Sequence, residues 1–232
     1  MSEMVKHQGG GQLAQPAPQF GRFTGTTSAD FVVPLVHLYQ DTGKEKEIFG
    51  RGFDAGDLIN IITLEPMVER KFVVVSGFVD YADSRKDATL KFSRNPADWP
   101  ADDHKFLDRG DGKKPHPAVN ERINALVLFE GHDWPVVLRF KKTSLRAGRT
   151  LNTLLSMQAQ KGTVGLFEYD IKQEKSDDGP YFVPVIKTAG KAPQELADKA
   201  RALFDQMNAG NVVVQDGEGA DDTFDTSTME GS

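Results

Sequence analysis

The sequence contains no cysteine. That excludes disulfides, thiolate zinc sites, iron–sulfur clusters and cysteine nucleophiles, and it fits a reducing compartment. No apolar run approaches the ~18–20 residues of a membrane-spanning helix. The opening residues MSEMVKHQGGGQLAQPAPQF lack the apolar centre of a secretory signal. Signatures of catalysis are missing too. Thr42-Gly43-Lys44-Glu45 lacks the first glycine and the hydroxyl residue of a phosphate-binding loop, and Gly50-Arg51-Gly52-Phe53-Asp54 opens no helix pattern. There is no G-x-S-x-G turn and no H-E-x-x-H pair. The five histidines are scattered singly. Asp102, Asp103, His104, Asp108, Asp111 and His116 form an acid–histidine group that could hold a hydrated cation, as in a metal-dependent nuclease. Their spacing matches no metal loop, and a polar surface loop explains them as well. The sequence predicts a cytoplasmic, non-enzymatic protein with no catalytic residues, no metal site and no cofactor.

What is present is a folded body and an uneven charge. Of 232 residues, 38% are hydrophobic and 27% charged, enough apolar matter for a core. The net charge of −6 is carried by the C-terminus: from Gln215 to Ser232 the acids are Asp216, Glu218, Asp221, Asp222, Asp225 and Glu230, with no Lys or Arg. The rest of the chain balances 28 acids against 28 bases. Within it, Trp134 to Phe167 has no acid but holds Arg139, Lys141, Lys142, Arg146, Arg149 and Lys161. A basic stretch and a separate acidic tail point to a polyanionic ligand more than the overall acidity does. The alternative is a solvated surface with a solubilising tail.

Residues 1–28, rich in Gly, Gln, Pro and Ala, are expected to be a flexible N-terminal segment, and 211–232 a disordered acidic tail. Between them, 29–210 reads as one domain. Strands are predicted at Phe31–Tyr39, Leu58–Leu64 and Lys71–Val79, with a turn-rich piece between the first two. Residues 82–122 have little periodicity and read as a long loop. Asn124–Glu130 and Trp134–Lys142 form a hairpin, and a helix follows at Arg149–Gln160. Thr163–Glu174 and Tyr181–Thr188 form a second hairpin, with Pro184 placing the last strand at an edge. A final helix starts at Pro193, its apolar face carrying Leu196, Ala200, Leu203, Phe204 and Met207.

From Lys71 on, this order is five strands with a helix between the third and fourth. It predicts a mainly β fold: an OB-fold-like five-stranded barrel with extra N-terminal strands, one inter-strand helix and a C-terminal helix. The N-terminal strands would extend the barrel or pair with its first strand. In such a barrel oligonucleotides cross strands 2 and 3 and the loops joining strands 1–2 and 4–5. Here the third strand carries Arg139, Lys141 and Lys142, and Arg146 and Arg149 follow it.

With this element order, the basic third strand and the acidic terminus ADDTFDTSTMEGS, the chain resembles phage-type and bacterial single-stranded DNA-binding proteins. The resemblance implies action in replication, recombination or repair, in the bacterial host cytoplasm if the chain is phage-encoded. It also implies that a tail built on Asp221, Asp222, Phe224 and Asp225 recruits replication proteins and competes with DNA for the groove. Single-strand binding needs cations for phosphates and flat rings for bases. The candidate rings are Trp99, Trp134 and Phe140, with Tyr81 and Phe92 behind them. Alternation puts Arg139 and Lys141 on one face of the third strand and Val136, Leu138 and Phe140 on the other, so Phe140 is either a core or a stacking residue. Trp99, between Pro96 and Pro100, is a loop anchor or a stacking platform. The competing function is a protein-binding inhibitor or assembly factor whose acidic tail mimics nucleic acid. Either protein could be an oligomer.

Overall fold

A computed structural model of the chain describes residues 33–208, apart from 51, 86–87, 111–114 and 177–178. The expectations for residues 1–28 and for the tail, including Asp221, Asp222, Phe224 and Asp225, lie outside the described residues. The strands in chain order are β1 (Leu35–Leu38), β2 (Leu58–Asn60), β3 (Glu65–Pro66), β4 (Lys71–Asp83), β5 (Phe92–Ser93), β6 (Val119–Phe129), β7 (Val136–Lys141), β8 (Gly165–Ser176) and β9 (Gly179–Lys191). The helices are α1 (Gly43–Phe49), α2 (Leu145–Gln160) and α3 (Gln194–Asn208).

The strands form one strongly curled open sheet, a half-barrel, in the order β3-β2-β1-β7-β6-β4-β8-β9, with β5 attached to β4. This is a mainly β, barrel-like fold. Its centre is the antiparallel pair β4–β6, running from Phe72 opposite Phe129 to Asp83 opposite Val119, with a bulge between Val74 and Ser76. Successive residues of a strand point to opposite faces, and here both faces are apolar. Phe72, Ile123, Ala125, Val127, Phe129, Val136, Leu138 and Phe140 line the inner face. Val73, Val75, Leu126, Leu128 and Val137 line the outer one. Burial on both sides explains why these strands read as continuous hydrophobic runs.

Each face receives a helix. Ala147, Leu151, Leu154 and Leu155 bring α2 against the inner face. Leu196, Ala197, Ala200, Leu203 and Met207 bring α3 against the outer one. Phe204, expected on the same stripe, is exposed instead. The α2 helix starts a turn before the predicted Arg149 and lies unusually close to the sheet, because it presents Gly148. A Cβ there would sit 2.9 Å from the Phe140 Cβ and 3.1 Å from the Ile123 Cβ. Gly148→Ala is therefore expected to destabilise the protein by roughly 1–3 kcal/mol through overpacking, although alanine favours a helix by about 1 kcal/mol. Thermal unfolding checks this, and an unchanged or raised Tm would show that the helix can shift outward at no cost.

The N-terminal block shows three features. First, β1 extends the barrel, one of the two placements expected: it runs parallel to β7, with Leu35 opposite Val137 and Val36 opposite Leu138, and so joins the third barrel strand and not the first. Second, the turn-rich piece holds α1, opened by a Thr42–Glu45 capping box. Third, β2 stops at Asn60, because the Asn60 side chain accepts hydrogen bonds from the Ile62 and Thr63 amides and turns the chain. Gln40, just past β1, reaches the far edge of the sheet. Its Nε2 donates to the Phe182 carbonyl at 2.9 Å and its Oε1 accepts from the Phe182 amide at 2.7 Å. One amide side chain thus acts as a strand partner for β9, the edge strand that Pro184 foretold.

Candidate functional site

The two apolar faces do not run the full length of the sheet. Below the rows that α3 covers, the outer face of β4, β6 and β7 turns polar. Two cross-strand rows lie there in register. In one, Phe78 is opposite Asn124, which is opposite Arg139; in the next, Asp80 is opposite Arg122, which is opposite Lys141. Asp80, Arg122 and Asn124 are buried. Arg122 donates to Asp80 through Nε at 2.9 Å and Nη2 at 2.5 Å, and Asn124 Nδ2 adds a third hydrogen bond at 3.0 Å. Arg139 Nε donates to Asn124 Oδ1 at 2.8 Å. The buried acid and its neighbours thus satisfy one another, as the low-dielectric setting demands.

Two rings and a further cation complete the surface. The Arg122 guanidinium lies 4.5 Å from the centre of the Phe92 ring, which β5 places beside Ala82 of β4. The Arg94 guanidinium lies 4.2 Å from the centre of the Phe78 ring. Phe78, Phe92, Arg139 and Lys141 are half-buried and Arg94 is exposed. The two rows hold the cations Arg122, Arg139 and Lys141 and the acid Asp80, and Arg94 lies beside them. The patch thus combines positive charge with flat rings.

The other expected site residues go elsewhere. Phe140, 1% exposed, belongs to the inner core and presents no stacking face. Trp99, 7% exposed, packs edge-on to His104, which also meets Tyr81 edge-on; Trp99 anchors its loop. Trp134 is 69% exposed but sits at the β6–β7 turn, at the opposite end of β7 from Lys141. Lys142 is exposed, in the 3-10 turn after β7. On α2, Arg149 donates to Glu121 at 2.8 Å. The Glu174 carboxyl, held below its usual range first by Lys172 and Tyr181, also feels the charge of Arg146. The acid-free stretch thus places Arg139 and Lys141 on the outer face of β7 and Arg146 and Arg149 on α2, where Arg149 meets Glu121 of β6. Asp80, Phe78, Arg94, Arg122 and Asn124 were not foreseen. The alternation of Phe78 and Asp80 along β4 was the signal that could have found them.

The long excursion is shorter than predicted, because β4 runs to Asp83 and β6 begins at Val119. Its described residues are tied to β4 and to one another. Arg85 Nη2 bridges Asp83 at 2.5 Å and the buried Asp103 at 2.9 Å, and Arg109 Nη1 reaches Asp103 at 3.4 Å. Burial resists ionisation of Asp83, but the hydrogen bonds and charge of Arg85 prevail and hold its carboxyl below the usual range. Asp102 pairs with Lys105. These partners engage Asp102 and Asp103, Asp108 accepts from the Gly110 amide, and Asp111 lies outside the described residues; among the described residues no group of three or more His, Cys, Asp or Glu is placed to hold a metal. No helix among the described residues is long and apolar enough to cross a membrane.

Comparison with known proteins gives one family. A family model described as "Pam3 phage gp34-like protein" matches residues 14–213. Neither curated proteins nor solved structures give a match.

Proposed function

We propose that this chain, which belongs to the Pam3 phage gp34-like family, binds single-stranded DNA in the replication, recombination or repair of a phage genome. The observation that carries the reading is the outer-face patch on β6 and β7, where Arg139 and Lys141 stand in register with Phe78 and with the Arg122–Phe92 stack.

The strand pairing supports an OB-like reading. The five strands β4, β6, β7, β8 and β9 pair in the order third, second, first, fourth, fifth. Closing such a sheet would join the third strand to the fifth. That seam is filled by β1, which pairs with β7 and reaches β9 through Gln40. In OB folds the strand 2–3 face and the 1–2 loop bind oligonucleotides. The corresponding parts here are β6 and β7 and the 84–118 excursion, which brings in Phe92 and Arg94. A strand laid along this face would set phosphates against Lys141 and Arg139 and bases against the rings. Its affinity would come from charge and from stacking worth ~1–3 kcal/mol per base, with little sequence preference.

The acidic tail is the proposed competitor and the proposed recruiter of replication proteins. Tethered, it acts at an effective concentration of order mM, enough to occupy a basic face weakly. Removing residues 215–232 is expected to strengthen oligo-dT binding several-fold at 0.01 M salt and hardly at 0.15 M, since the Debye length falls from ~30 Å to ~8 Å. The Tm should not move. Equal affinities of the full and shortened chains at low salt would remove the tail from the binding account.

A further inference from the structure

The proposed binding face contains one cation that phosphate charge alone does not explain. Among the described residues Arg94 makes no ion pair; its exposed guanidinium lies over Phe78, 4.2 Å from the ring centre. Phe78 in turn is fixed in the row with Asn124 and Arg139. The loop that delivers Arg94 is held at its base, since β5 pairs Phe92 with Ala82 and Ser93 with Tyr81. Asn95 caps the next turn by accepting from the Ala97 amide at 3.1 Å. A guanidinium is flat and weakly hydrated, so one face can rest on an aromatic ring while the other remains for a second planar partner. An exposed lysine placed there would offer only a point charge.

We infer that Arg94 is a base-stacking residue: its guanidinium, shelved on Phe78, presents its outer face to a nucleobase of a bound single strand. Arg94 then contributes a base contact, and Arg139 and Lys141 contribute the phosphate contacts. The inference rests on the single-strand reading above and adds that one base position on the platform is held by an arginine plane.

The test uses the full chain, an oligo-dT, and an oligomer of equal length made of abasic sites, titrated over a range of salt. Arg94→Lys keeps the charge and removes the plane. It is expected to weaken oligo-dT binding roughly five- to a hundred-fold, to leave the salt slope unchanged, and to leave abasic binding as in the wild type. Phe78→Leu, checked for an intact fold by circular dichroism, should give the same base-dependent loss. Wild-type binding of oligo-dT by Arg94→Lys, or equal losses on both oligomers, would overturn the stacking role while leaving the single-strand reading in place. A wild-type protein that binds neither oligomer at low salt would overturn both.

Discussion

Asp80→Ala is expected to cost about 3–5 kcal/mol of stability, because it leaves the Arg122 guanidinium buried without its carboxylate. Arg122 is 4% exposed and Asp80 3% exposed, and Asn124 also donates to that carboxylate. For a domain of this size, each kcal/mol shifts Tm by ~2–4 °C, so a fall of roughly 6–20 °C should appear in a thermal scan. Replacing both partners by apolar residues, Asp80→Leu with Arg122→Met, should cost far less, because it removes the charges together. A single substitution as mild as the double one would mean that water reaches the pair and that the outer rows are looser than their geometry implies.

The second large effect concerns binding. Arg139→Glu with Lys141→Glu is expected to weaken oligo-dT binding by about two orders of magnitude or more at low salt, since two phosphate contacts become repulsions. Arg139 also holds Asn124, so its reversal places a carboxylate beside the Asp80 layer. The milder pair Arg139→Gln with Lys141→Gln separates binding from folding. With that pair, the slope of log K against log salt should become shallower by about 1.4, because each single-strand phosphate that a cation neutralises adds ~0.7 to it. Arg146→Gln with Arg149→Gln should change the slope little, because α2 packs on the inner face, away from the outer rows of β6 and β7, and Arg149 pairs with Glu121. A larger loss from the helix pair than from the strand pair would move the groove to α2.

These contrasts show what could be read from the chain and what could not. The barrel strands were legible because their apolar runs are long and broken by strong turns, as at Gly131-His132-Asp133 between β6 and β7. Alternation along β7 correctly sorted Arg139 and Lys141 from Val136 and Leu138. The α1 helix was not read, although Thr42 and Glu45 stand at capping-box spacing, because Gly43 and two lysines obscured the pattern. The pairing of β1 with β7 joins residues about a hundred positions apart, which no local pattern encodes. Charge counted along the sequence could not show how the bases divide. The acid-free run from Trp134 to Phe167 places Arg139 and Lys141 on the outer face of β7 but Arg149 on α2, where Glu121 of β6 pairs with it. The same limit applied to the rings. Trp99 and Phe140 had the right chemistry but went to the interior, while Phe78 and Phe92 were brought together by strand register and by a short loop strand.

The central claim is that the outer face of β6 and β7 binds single-stranded nucleic acid, and titration of a labelled oligo-dT at 0.01 M and 0.15 M salt tests it most directly. The account predicts saturable binding at low salt that weakens with a log–log slope of about −1.4 or steeper, ~0.7 for each of the phosphate contacts made by Arg139 and Lys141, and that is reduced by Arg139→Gln with Lys141→Gln. Absence of binding at low salt, by the full chain and by the chain lacking residues 215–232 alike, would contradict it and leave a protein-binding role for the acidic tail as the reading to pursue.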